Sequence, residues 1–233
     1  MERFVEVSNS EVDLVHLVTS QIAEADALSD TLARIVDFTC AIVKCDSCFV
    51  YVLEEQKLVL RASMNPHGEV IGLLKLKFGT GITGWVAEHL QPLAISQEAY
   101  KDPRFEFFNQ LPEDRYEAFL SVPILCRRRL VGVINLQHRE PHVHTDREIK
   151  LISTIGFFVG ADIEMARLES ENQKLVQQLE SRKIVERAKG ILQRQLGISE
   201  EQAYLQIQGK GRRLRKSMRE IAEEILTNEQ KQV

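Results

Sequence analysis

The chain is an α+β protein by sequence, a mostly antiparallel sheet flanked by helices and followed by a small helical bundle. Three observations predict this. Apolar residues recur at helical spacing near the start, short runs rich in β-branched and aromatic residues occupy positions 48–137, and helical spacing returns from 146 onward. The division this implies is a sheet domain over 1–165, a linking helix over 166–180 and a three-helix module over 181–233.

Each element has its own signal. Over 11–44, Leu14, Leu17, Val18 and Ile22, then Leu28, Leu32, Ile35 and Val36, fall on recurring faces, and Ser29 or Asp30 is placed to cap the second of two helices. Strands are predicted at 48–53, 58–62, 75–78, 93–95, 118–126 and 130–137. Arg127-Arg128-Arg129 reads as a solvated hairpin turn between the last two. From 146 to 166 the period is helical again, with Ile149, Ile152, Ile155, Phe158 and Val159 on one side.

Composition limits the function. The chain has 233 residues, 44% of them hydrophobic and 27% charged. No apolar run approaches the roughly 20 residues that cross a bilayer, and the first residues lack the order of a secretory signal, so a cytoplasmic protein without membrane association is expected. Its cysteines, Cys40, Cys45, Cys48 and Cys126, are then expected to be reduced. Cys45 and Cys48 have C-x-x-C spacing, but Cys48 opens the run Cys48-Phe49-Val50-Tyr51 and should point into a core. His138, His142 and His144 are bunched in what reads as a solvated loop after a strand, and His67 and His89 are isolated. No metal set, catalytic residue or cofactor is assigned on these grounds.

The net charge of −4 hides an asymmetry. Residues 181–219 carry eleven Lys/Arg against three Asp/Glu, leaving nineteen against thirty-one for the rest. A basic module on an acidic body is suited to a polyanion.

Gly79-Thr80-Gly81-Ile82-Thr83-Gly84-Trp85-Val86-Ala87-Glu88, then Pro92-Leu93-Ala94-Ile95, Asp102-Pro103-Arg104-Phe105, Phe119-Leu120-Ser121-Val122-Pro123-Ile124 and Leu130-Val131-Gly132-Val133-Ile134-Asn135 resemble a GAF domain along its length. The pattern is similar in particular to the GAF domain in front of the nitrogen-related phosphotransferase enzyme I. The resemblance implies a sensory or dimerising domain with a cavity on one sheet face. The Asn-Lys-Phe-Asp-Glu set of cyclic-nucleotide-binding members is not shown. Trp85, Phe105, Phe107 and Phe119 are the aromatic residues expected to line the cavity, for a small-molecule ligand or beside an upstream signalling protein.

Past the sheet domain, Ala161, Leu168 and Leu175 take d positions of a heptad pattern, and Met165, Asn172 and Leu179 take a positions. A central Asn at a favours a two-stranded parallel coiled coil, so a parallel homodimer is expected through this helix. No Pro or Gly interrupts residues 161–189, so the helix should run on into the basic module.

In that module Gly197 stops the helix, and Ser199-Glu200-Glu201-Gln202 and Ser217-Met218-Arg219-Glu220 are capping boxes opening two more. Gly209 and Gly211 should loosen the end of the middle helix, to the point of folding only on binding. Ile191, Leu192, Leu196, Ala203, Tyr204, Ile207, Met218, Ile221 and Ile225 form the predicted core. Arg182-Lys183-Ile184-Val185-Glu186-Arg187-Ala188-Lys189-Gly190-Ile191-Leu192, then Leu196 to Tyr204 and Lys216 to Leu226, resemble an ANTAR domain from end to end. The resemblance implies binding to paired stem-loops in nascent messenger RNA and transcription antitermination. Arg182, Lys183, Arg187, Lys189, Arg194, Arg212, Arg213, Arg215 and Lys216 are the expected phosphate contacts, Lys189 foremost, and Gly190 is expected either to let RNA near the backbone or only to relieve helix packing. The alternatives are a DNA-binding regulator, or a thiol-based redox sensor on Cys45, Cys48 and Cys126.

Overall fold

The computed structural model describes residues 16, 19–20, 27–64, 70–105 and 116–230. They fall into two compact units, Met1–Ala166 and Arg167–Val233. The first helical stretch expected over 11–26 lies almost entirely outside the described residues, as does Phe107.

In the first unit the elements run α1 (Leu28–Val43), β1 (Ser47–Glu54), β2 (Lys57–Ser63), β3 (Lys75–Leu76), α2 (Gly81–His89), β4 (Leu93–Ile95), a 3-10 turn (Ala99–Lys101), β5 (Ala118–Cys126) and β6 (Arg129–His138). The next helix, α3, spans Asp146–Leu196 and continues into the second unit. The strands form one antiparallel sheet in the order β3-β2-β1-β6-β5-β4.

Strand alternation sends side chains to two faces. On one, Cys48, Val50, Leu120, Val122, Ile134 and Leu136 pack with Leu32, Ile35 and Val36 of α1 and Ile152, Ile155 and Val159 of α3. On the other, Phe49, Tyr51, Leu58, Leu60 and Val133 pack with Val86 and Ala87 of α2. Between β5 and β6 the chain turns through Arg127 and Arg128, whose φ values of 47° and 63° are the left-handed pair that a two-residue hairpin requires.

Three local expectations change. The α1 N-cap is Ala27, with no side-chain cap; Ser29 and Asp30 lie inside the helix, whose first turn is held by the Ala27 carbonyl accepting from Asp30 and Thr31. The strand expected over 75–78 shortens to Lys75–Leu76, because Phe78 and Gly79 already turn toward α2. The end of β6 and the stretch after it are not simply solvated: His138 and His144 are buried.

The second unit adds α4 (Glu200–Leu214) and α5 (Met218–Gln230) to the end of α3. Gly197, at φ 64°, ends α3. Ser199 Oγ accepts from the Gln202 amide while Gln202 Oε1 accepts from the Ser199 amide, and Ser217 and Glu220 repeat the arrangement at α5. Ala188, Ile207, Ile221 and Ala222 form the core, joined by Ile184, Val185, Leu192, Met218 and Ile225. Leu196 and Tyr204, core residues by sequence, are 53% and 40% exposed. Leu196 closes α3 just before the turn, and Tyr204 sits one residue past buried Ala203, at the edge of the packed face.

The α4 helix does not loosen at its glycines. A Cβ on Gly211 would stand 2.9 Å from the Lys216 carbonyl oxygen, and the Lys216 amide donates to the Gly211 carbonyl. Gly211 is where the turn into α5 crosses α4, so the missing side chain lets the helix run on to Leu214.

Candidate nucleic-acid interface

Within the second unit, Lys183, Arg187, Gly190 and Arg194 recur at intervals of four, three and four along α3, a single helical stripe. It runs roughly a quarter-turn away from the buried residues Ala188 and Ile191, with Ile191, four residues after Arg187, at its border. The three basic residues are exposed, and a Cβ on Gly190 would meet nothing within 4 Å. Packing therefore does not require glycine there, although glycine inside a helix costs about 1 kcal/mol relative to alanine.

The remaining expected contacts are also placed at the surface. Arg182 is exposed on α3, Arg212 and Arg213 close α4, and Arg215 and Lys216 lie in the turn to α5, Arg215 at φ 54° as the α4 C-cap. Arg182, Lys183, Arg187, Arg212, Arg213 and Arg215 have no acidic partner within 4 Å among the described residues. Arg194 pairs with Glu229 at 3.2 Å, and Lys216 with Glu224. Tyr204, Gln208 and Arg212 share a row on α4 at i, i+4 and i+8, which puts an exposed aromatic ring and a guanidinium on one side of the helix, about 12 Å apart along its axis.

Lys189 is placed differently. It is only 6% exposed, and its Nζ lies 2.6 Å from Glu200 Oε1 and 2.9 Å from Glu186 Oε2. Hydrogen bonds to Glu200 and then Glu186 raise its pKa above the ordinary lysine value, and the same contact lowers that of Glu200. Its ammonium joins the start of α4 to α3. Sequence gave Lys189 the right charge but no sign of these two partners, one of them eleven residues away.

In the first unit, Phe119 and Phe105 come together with Ile82 and Ala99 in one cluster. Trp85 packs elsewhere, stacked on His89 with ring centroids 4.1 Å apart and with the Arg104 guanidinium 5.0 Å from its ring centre. Asp102 holds that guanidinium through two hydrogen bonds of 2.8 Å. A buried polar chain that sequence missed lies on the same sheet face: Ser121 Oγ donates to Asn135 Oδ1, and Asn135 Nδ2 donates to Thr83 Oγ1, each at 2.7 Å. Cys40, Cys45 and Cys48 are buried free thiols, Cys45 Sγ lying 3.4 Å from Cys40 Sγ. That hydrogen bond and burial hold the Cys45 thiol well above its usual pKa, the opposite of an activated nucleophile.

Comparison with known proteins adds two family matches, a GAF domain over residues 27–163 and an ANTAR domain over 173–226. The phosphoenolpyruvate-dependent phosphotransferase system protein of Escherichia coli is 26% identical over 156 residues, 65% of this chain. The transcriptional regulatory protein PdtaR of Mycobacterium tuberculosis is 41% identical over 76 residues, 33% of this chain. The chain spans 20% of the first relative's length and 37% of the second's. Among solved structures, the GAF domain of a phosphoenolpyruvate-protein phosphotransferase from Coxiella burnetii aligns with a TM-score of 0.65 at 26% identity, over 69% of this chain and 96% of that one. No helix among the described residues is long and apolar enough to cross a membrane.

Proposed function

Because this chain belongs to the GAF domain family and carries an ANTAR domain after its GAF unit, we propose that it is a signal-responsive regulator that promotes transcription antitermination by binding paired stem-loops in nascent messenger RNA. The observation that carries the reading is the α3 stripe: Lys183 and Arg187, with no acidic partner within 4 Å among the described residues, beside a glycine over open space. Cations in a row neutralise phosphates, and a helix surface lacking a side chain admits a sugar–phosphate backbone closely. Arg182, Arg212, Arg213 and Arg215 extend the basic surface. Arg194 and Lys216 join it by exchanging a glutamate for a phosphate, and Tyr204 supplies a ring for stacking on an unpaired base. Lys189 acts by fixing the first turn of α4 against α3.

The protein works as a parallel homodimer through α3. Met165, Leu168, Leu175 and Leu179 are exposed along it with Asn172 in register, an apolar seam suited to a second copy. Two modules on one dimer match two stem-loops on one RNA and gain avidity. The GAF unit supplies the signal, in the cytoplasm where nascent RNA is made.

The test is a gel-shift titration of the full chain against a paired-hairpin RNA, its single-hairpin half and a duplex DNA of equal length. Preference for the paired RNA is expected. An Arg187→Ala variant should weaken binding and lower the slope of log K against log salt by about 0.7 to 0.9. Equal, weak binding to both RNAs, or stronger binding to the duplex DNA, overturns the reading.

A further inference from the structure

We propose that the GAF unit binds a divalent transition-metal ion of the zinc class on His138, His142 and His144. The inference concerns the first unit alone and does not depend on the RNA reading. His138 ends β6, His142 lies in the connection that follows, and His144 stands two residues before α3. One ring nitrogen from each lies within 4.8 Å of the other two. The rings are gathered, with centroids 4.1 Å apart for His138 and His142, 4.7 Å for His142 and His144, and 5.2 Å for His138 and His144. The backbone fixes this convergence: the His138 carbonyl accepts from the Glu117 amide, and the His142 amide donates to Ser96.

Packing alone does not account for the cluster. His138 and His144 are 6% and 7% exposed, and His138 Nε2 and both ring nitrogens of His144 are buried without a hydrogen-bond partner among the described residues. Buried polar atoms are normally satisfied, and three unsatisfied ones in one cluster are suited to a shared ligand. Burial, followed by the neighbouring imidazoles, pushes His144 down to about 4, and burial also lowers His138. Burial thus favours the neutral form of these two rings, the form that binds metal.

His142 differs instructively. Its Nε2 lies 3.2 Å from Glu148 Oε1, which leaves Nδ1 for the ion. A carboxylate on the far nitrogen is the arrangement that orients metal-bound imidazoles. Glu148 is itself held, because Oε2 accepts from the Thr145 amide and hydroxyl at the start of α3. Imidazole nitrogens favour zinc, nickel and copper over calcium or magnesium. Bond lengths of about 2.0 to 2.1 Å to a tetrahedral ion put donors roughly 3.3 Å apart, so the rings must draw in by about 1.5 Å, within reach of side-chain rotation.

The test uses the untagged full chain, stripped of metal and titrated with zinc by calorimetry and with cobalt by visible absorption. One equivalent is expected, with cobalt ligand-field bands. Affinity should fall at least tenfold in His144→Asn and in His142→Ala, and stay unchanged in His89→Ala, whose ring stacks on Trp85 outside the cluster. Circular dichroism checks each variant; should His144→Asn fail to fold, the comparison rests on His142→Ala, whose ring reaches the surface. Unchanged affinity in the folded histidine variants, no binding at all, or the near-ultraviolet charge-transfer bands of cobalt–thiolate bonds overturns the proposal.

Discussion

Adding one methyl group separates the roles of two glycines. Gly190→Ala places a Cβ in open space on a helix, so it should stabilise the second unit by about 0.5 to 1 kcal/mol while weakening RNA binding. Gly211→Ala presses a Cβ against the Lys216 carbonyl and should destabilise the same unit. Thermal melts and gel shifts on both variants check the opposed signs, and a Gly190→Ala protein that binds RNA as well as the original would remove that glycine from the interface. At this scale the sequence was legible where a residue's role follows from its neighbours in the chain. Gly197 as a helix stop and Ser199 as a cap are of this kind. Asn135 is not. Its partners, Ser121 fourteen residues away and Thr83 fifty-two away, meet it only once β5, β6 and α2 have packed. Asn135→Ala leaves two buried hydroxyls short of a partner and should cost about 2 kcal/mol in a denaturant titration.

Among elements, period was the reliable guide and side-chain fate the unreliable one. Strands β1, β2, β5 and β6 fall within a residue or so of the runs that announce them, because alternation and β-branching act locally. The sequence could not show that Tyr204 and Leu196 face outward, that Lys189 is enclosed by two glutamates, or that three histidines converge, since each depends on how one element meets another. Three glutamates of α4 and α5 carry the acid sensitivity of the second unit. Glu200 is held below 4.5 by Lys189, Glu220 by the amide and hydroxyl of Ser217, and Glu224 by Lys216 and Lys210. Their folded pKa values are depressed, so their stabilisation is in place above about 4.5 and is lost as pH falls through those lower values. Peptide-resolved amide exchange over 184–226, corrected for the intrinsic pH effect, should quicken below that point, and less so in Glu200→Gln. Ser199→Ala should cost about 1 kcal/mol at any pH that leaves the carboxylates charged.

For the molecule as a whole, the proposed assembly is the property that a single substitution reaches most directly. Leu175→Glu sets a charge in the middle of the apolar seam of α3, opposite its own copy in a parallel pair. Sedimentation should then shift from dimer toward monomer, and the preference for paired over single hairpins should disappear with it, while the isolated module keeps its salt-sensitive contact. A dimer that survives the substitution places the pairing surface elsewhere. The shape of the sheet bears on where a copy can dock. Its two outer strands, β3 and β4, are two and three residues long, whereas the four between them run from seven to ten. An outer strand recruits another chain by offering a row of unpaired amides and carbonyls, and these rows are too short to template one. Association at high concentration is thereby steered away from open-ended strand addition, the route to fibres, and toward a closed pairing of side chains that stops at two.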